Sequence, residues 1–93
     1  MISFKQTNNE KNGQFEIFFD GHPAGLMTYT WAGADKFIID HTEISEAYNG
    51  KGFGKELVLQ AVDFARKEGV KIIPLCPFAK ATFQKTEEIR DVL

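Results

Sequence analysis

Hydrophobic spacing changes period once along this chain, and the change falls at the run Asn49-Gly50-Lys51-Gly52-Phe53-Gly54. Ahead of the run, apolar residues recur at alternate positions; behind it they recur at helical spacing. A period of two sends successive side chains to opposite faces of a strand, whereas a period near 3.6 stacks them into one helix stripe. The glycine run therefore joins a half that must pair as sheet to a half that must pack onto it. Ninety-three residues leave no room for a second core, so residues 1–93 read as a single domain.

In the first half, residues 2–7 carry Ile2 and Phe4 at alternate positions. The polar turn Asn8-Asn9-Glu10-Lys11-Asn12-Gly13 follows, and its closing Asn-Gly is a hairpin signal. Phe15, Ile17 and Phe19 alternate with Glu16, Phe18 and Asp20, which makes residues 14–19 a second strand. The turn Asp20-Gly21-His22-Pro23 leads to a third strand over 24–31, and Ala32-Gly33-Ala34-Asp35 to a fourth over 36–43. Contiguous Phe37, Ile38 and Ile39 predict deeper burial there.

In the second half, Leu57, Val58, Ala61, Val62 and Ala65 form one stripe of a helix over 55–68, with Gly69 as its left-handed stop. Residues 70–73 are a short β-branched strand ended by Pro74, and Pro77 opens a last helix over 78–86. The order ββββ-α-β-α predicts an α/β domain with a mixed, mainly antiparallel sheet of about five strands. Its strand–helix–strand step requires a right-handed crossover, which leaves the fifth strand parallel to the fourth. Nine phenylalanines suit a thin core filled by large rings.

Gly50, Gly52 and Gly54 follow a strand and precede a helix. Glycines let a backbone approach an anion closely, and a helix start offers unpaired N–H groups and a positive dipole end. Lys51 and Lys55 add cationic charge beside it. The spacing excludes two phosphate loops. A P-loop needs four residues between its first glycine and Gly-Lys-Ser/Thr; here there are three between Gly50 and Gly54, and Glu56 stands in place of the hydroxyl. A dinucleotide fingerprint needs Gly-x-Gly-x-x-Gly, and this run is one residue short. A glycine-rich turn that only reverses the chain is the alternative, although three glycines in five residues exceed what a turn requires.

Residues 49–54 resemble the acetyl-coenzyme A pyrophosphate loop of the GNAT acetyltransferase superfamily, written Arg/Gln-x-x-Gly-x-Gly/Ala. Gly52 and Gly54 match; Asn49 departs from the usual Arg or Gln and brings no charge. His41-Thr42-Glu43-Ile44 before the loop, and Pro74-Leu75-Cys76-Pro77-Phe78 after the helix, resemble a short-form branch of that superfamily. The likeness runs from about Phe37 to the end and more loosely over the earlier strands. It implies a single GNAT-like domain that lacks the two usual helices between the first two strands, as well as the last two strands. It also implies acetyl-CoA as cosubstrate, held by Ile44, Asn49, Gly50, Lys51, Gly52, Phe53, Gly54, Lys55 and Phe83.

Acetyl transfer to an amine needs a base for the amine and an acid for the departing thiolate. The resemblance places a general base at Glu43, near the end of the fourth strand; a surface carboxylate is the plainer reading. His41 shares a strand face with Glu43, so it is a second candidate base or a structural histidine. Cys76 precedes Pro77 near the last helix, where a helix dipole lowers a thiol pKa. The resemblance implies a tyrosine acid on that helix, which has none, so Cys76 is a candidate acid or nucleophile, or simply a small buried hydrophobe. Pro74 cannot donate to a ladder, so the fourth and fifth strands should part there and open a cleft for a pantetheine arm.

With its helices missing, the acceptor side has few walls, which suits a protein or peptide amine better than a small metabolite. An acyl-CoA-binding or sensing module without efficient transfer is the competing expectation. Net charge −2, a pI near 5.6 and scattered basic residues exclude a nucleic-acid footprint. No stretch approaches membrane-spanning length, and no metal is expected. The first residues lack a signal peptide's apolar run, and the single cysteine forms no internal disulfide; both point to the cytoplasm.

Overall fold

Five strands in the order β1-β2-β3-β4-β5 make the sheet of this computed structural model, which describes residues Met1–Leu93. β1 (Ile2–Asn8), β2 (Asn12–Phe19), β3 (His22–Trp31) and β4 (Lys36–Ile44) form an antiparallel meander. A 3₁₀ turn at Glu46–Tyr48 and the glycine loop lead to α1 (Phe53–Glu68), then β5 (Lys71–Pro74) and α2 (Pro77–Lys85). A final 3₁₀ segment, Glu87–Val92, packs Ile89 and Val92 into the core. β5 pairs parallel to β4, as the crossover requires. The expected order and strand directions are those observed.

Both helices lie on one face of the sheet. Phe15, Ile17, Met27, Tyr29, Phe37 and Ile39 from the strands meet Leu57, Val58, Val62 and Phe83 from the helices in one cluster of 20 buried residues. The rings of Phe15, Tyr29, Trp31 and Phe37 gather around Phe64 of α1 with centroids 5.8–6.1 Å from it, which is where many of the aromatic residues are spent. The opposite face carries Lys5, Glu16, Leu26, Thr28, His41 and Glu43, none of them buried. No helix is long and apolar enough to cross a membrane.

Two local readings change. Gly13 is not in the first turn but in β2; Asn9 makes the turn, its Oδ1 accepting from the Lys11 and Asn12 N–H groups at 2.8 and 2.9 Å. Gly13 is needed for close approach, since a Cβ there would collide with the Tyr29 hydroxyl. Pro23, expected in the second turn, lies inside β3 where the β2–β3 register shifts.

A second register shift sets the site. Thr28 pairs with His41 but Tyr29 pairs with Ile39, so Asp40 is an extra residue in β4. Its carboxylate accepts from Thr30 Oγ1 at 2.5 Å. Phe37 and Ile39 face the helices before this bulge; beyond it Thr42 lies opposite buried Met27 on that same face. His41 and Glu43 are thereby turned to the open face.

Candidate functional site

Backbone conformation explains the loop. Gly50 and Gly52 have φ of +80° and +78°, where other residues pay a steric cost, and a Cβ on either would meet nothing within 4 Å. These two left-handed steps bring the chain from Asn49 into α1. From Gly50 to Lys55 no backbone N–H is bonded within the chain, and the first capped amide is Glu56, which donates to the Gly52 carbonyl at 3.1 Å. Six successive free donors at a helix start form an anion cradle. Three rings support it from below: Phe19, Tyr48 and Phe53 have centroids 5.6–6.0 Å apart.

Between this cradle and α2 runs a groove of about 430 Å³. Ile44, Asn49, Gly50, Gly52, Phe53, Gly54 and Lys55 line it as expected, together with Tyr48, Phe78, Thr82, Lys85 and Thr86. It holds two lysines and no carboxylate, in a chain with 13 acidic residues. Gly54 serves close packing here: a Cβ would strike the Phe78 ring, 2.7 Å from Cε2 and 3.1 Å from Cε1. Lys51 does not line the groove; its ammonium lies over the Phe19 ring, 5.9 Å from the centroid. Phe83 is only 2% exposed and belongs to the core.

At the Ile44 end the sheet opens. β4–β5 pairing stops at Ile39 and Pro74, with one further bond from the Cys76 N–H to the Ile39 carbonyl at 3.1 Å. β4 runs on to Ile44 with no strand beside it on that edge. This is the parting that Pro74 predicted. Cys76 is the N-cap of α2, 5% exposed, its thiol donating to Thr42 Oγ1 at 3.6 Å. Burial pushes the thiol up, but hydrogen bonds to the sulfur from the Ala79 N–H, from the Thr42 hydroxyl (which donates once the thiolate forms), and from the Phe78 and Thr42 N–H groups outweigh it, so the pKa lies below the ordinary value.

Glu43 and His41 stand exposed on the other face, so the three candidate catalytic residues flank the strand gap from two sides rather than sharing one wall. Glu43 borders a shallow depression of about 420 Å³ with Glu16, Glu46, Leu26 and Pro23, which meets the groove at Ile44.

The family model of the GCN5-related N-acetyltransferases matches residues 14–92. This chain belongs to that family. Among its relatives, Protein NATD1 of Danio rerio is 33% identical over 70 residues, 74% of this chain and 64% of that protein. Protein NATD1 of Xenopus tropicalis is 29% identical over 75 residues, 80% of this chain and 69% of that protein. A GCN5-like protein of Staphylococcus aureus, solved in solution, has a TM-score of 0.75 at 33% identity over 97% of this chain and 85% of its own. A GNAT acetyltransferase of Elizabethkingia anophelis, solved with acetyl-CoA bound, shares the fold alone, with a TM-score of 0.69 at 9% identity over 78% and 63% of the two chains.

Sequence reasoning missed the α2 wall of the groove. Phe78, Thr82, Lys85 and Thr86 recur at helical spacing, one residue out of step with the buried Ala79 and Phe83. Placing Phe83 inward would have turned that stripe toward α1.

Proposed function

We propose that this GCN5-related N-acetyltransferase binds acetyl-CoA in the groove and transfers its acetyl group to an amine of a protein or peptide. The observation that carries the reading is the cradle of six free N–H groups over a groove with two lysines and no carboxylate. The phosphate oxygens need N–H donors in number, and the cradle supplies them with the dipole end of α1 behind. The gap between β4 and β5 leaves strand-edge amides of β4 for a pantetheine arm, with Ile44 at its mouth.

The amine approaches from the open face. Three glutamates around the depression suit a cationic acceptor, and the absence of helices over that face suits an amine on a larger chain. Glu43, or His41 beside it, takes a proton from the ammonium. The nitrogen attacks the thioester carbonyl, a C–N bond forms, the C–S bond breaks, and the nitrogen releases its second proton to water. Cys76, on the helix side, gives its proton to the departing sulfur, and water resets both groups. The net result is amide plus free CoA thiol.

Burial of Cys76 favours a second reading, an acyl-CoA-binding module, because a 5%-exposed thiol is poorly placed for rapid exchange. One experiment separates the two. Acetyl-CoA is titrated while amide shifts are followed, then lysine-containing peptides are added and acetylation is read by mass spectrometry. Shifts over residues 50–56 with peptide acetylation that falls about 10²–10⁴-fold in Glu43→Gln support transfer. Shifts without acetylation of any peptide leave the binding module, and no shifts in the loop sink both.

A further inference from the structure

The groove beside the glycine loop is not the roomiest hollow in the molecule. A hollow of about 550 Å³ lies at the far end of the sheet, between the β1–β2 turn and the β3–β4 turn. The nine residues of β4 separate it from Ile44, about 25 Å at a strand rise of ~3.3 Å per residue. Asn8, Asn9 and Glu10 line it from one turn and Gly33 and Ala34 from the other, with Trp31 as its aromatic wall. That ring is firmly held. Its indole N–H donates to Asn8 Oδ1 at 3.0 Å, and the Tyr29 hydroxyl donates to the same oxygen at 2.8 Å while accepting from Gln6 Nε2 at 2.9 Å. The rings of Tyr29, Phe37 and Phe64 meet it edge to face, with centroids 5.4–6.2 Å away.

Core packing explains those contacts, but not why the indole is left half-buried beside a hollow. With its N–H engaged by Asn8, the ring offers the hollow only carbon surface, and an aromatic face is electrically negative. Glu10 adds a carboxylate without an ion pair, since the two salt bridges of the chain join Met1 to Asp20 and Arg66 to Asp91. No lysine or arginine lines the hollow, in a chain that has 11 of them. An aromatic face with a free carboxylate and no competing cation suits an organic cation, whose alkyl groups and spread charge rest on the ring. A sugar suits it less, because Asn8 Oδ1 and Asn9 Oδ1 are already engaged within the chain.

We infer that this hollow is a second binding site, which takes an alkylammonium group over Trp31 with Glu10 as its counter-ion. It is independent of the acetyl-CoA reading, because the hollow and the groove share no residue. Trp31 is the only tryptophan of the chain, so its fluorescence and its indole N–H resonance report on this site alone. The whole chain is titrated at constant ionic strength with choline, and with dimethylbutanol, the uncharged analogue in which carbon replaces nitrogen. Choline should shift the indole resonance and the Gly33 and Ala34 amides, and bind about 5–10-fold tighter than the alcohol. Glu10→Gln, in an exposed turn, should weaken choline binding about 2–5-fold and leave the alcohol unchanged. A trimethyllysine peptide that binds more tightly than choline identifies a protein-borne group; weaker binding identifies a free small cation. Equal affinity for choline and the alcohol overturns the inference. So does a choline response that misses Trp31, or a choline affinity that Glu10→Gln leaves unchanged. Acetyl-CoA binding in the groove stands or falls separately.

Discussion

Gly52 lets stability and binding be separated at one position. A residue with a Cβ at φ +78° pays about 1–2 kcal/mol relative to glycine, and no neighbouring atom lies within 4 Å to add to it or relieve it. Gly52→Ala should therefore destabilise the fold by about 1 kcal/mol, a melting-temperature loss of roughly 4–8 °C for a domain of this size. Gly52→Asn, whose side chain tolerates left-handed backbone, should lose less than Gly52→Ala. Binding should follow a different order. The Cβ points into the open space above the cradle, where an anion would approach, so Gly52→Val should displace at least one amide–phosphate contact. Loss of one such contact is worth about 1.5–3 kcal/mol, or roughly 10–100-fold in affinity. Thermal melts and acetyl-CoA calorimetry on the three variants and on Gly50→Ala provide the data. A Gly52→Ala variant that melts with the wild type, or a Gly52→Val variant that binds acetyl-CoA with unchanged affinity, would refute this role for Gly52.

Cys76→Ala should slow transfer about 10²–10⁴-fold with acetyl-CoA affinity unchanged, and the wild-type thiol should show an alkylation midpoint below that of a free cysteine; unchanged transfer would return Cys76 to packing. Gly54→Ala should push the Phe78 ring off α1 and weaken acetyl-CoA binding, while Gly54→Ala with Phe78→Ala together should lose less than the sum of the two single changes, as a double-mutant cycle would read. Burial holds the Tyr29 phenol above its ordinary value near 10, against the smaller lowering effect of Gln6. The folded state thus favours the neutral phenol, a stabilisation fully present below pH 10 and lost as pH rises through the raised value. Tyr29→Phe should remove that alkaline loss, and an alkaline melting curve unchanged by the substitution would contradict the assignment.

The fold was largely legible because each half of the chain keeps one hydrophobic period, and the glycine loop and Pro74 are local signals with a single mechanical meaning. Expected strand and helix ends fall within two residues of those observed, as with 55–68 against Phe53–Glu68. The site was legible where it is local in sequence, from Asn49 to Lys55. Its other wall was not, because nothing in the neighbours of Lys85 or Thr86 tells which loop they will face. That information arises only when α2 docks on α1 through Gly54 and Phe78. The inward turn of Phe83 and the recruitment of Arg90 to the end of α2 are likewise decided by packing partners far apart in sequence.

Asp40 gives β4 two reading frames. Upstream of it the odd-numbered residues belong to the core; downstream the even-numbered ones do. A slip that paired Asp40 into the ladder would merge the frames without changing a single amino acid, yet it would send His41 and Glu43 beneath the helices and lift Thr42 and Ile44 to the open face. Two ionisable groups would then enter an apolar layer without partners, a cost far larger than the stability of a small domain can absorb. The frame shift that exposes the candidate bases is thus protected by folding itself. Substitutions can change what Glu43 and His41 do chemically, but they cannot easily change which side of the sheet those positions serve.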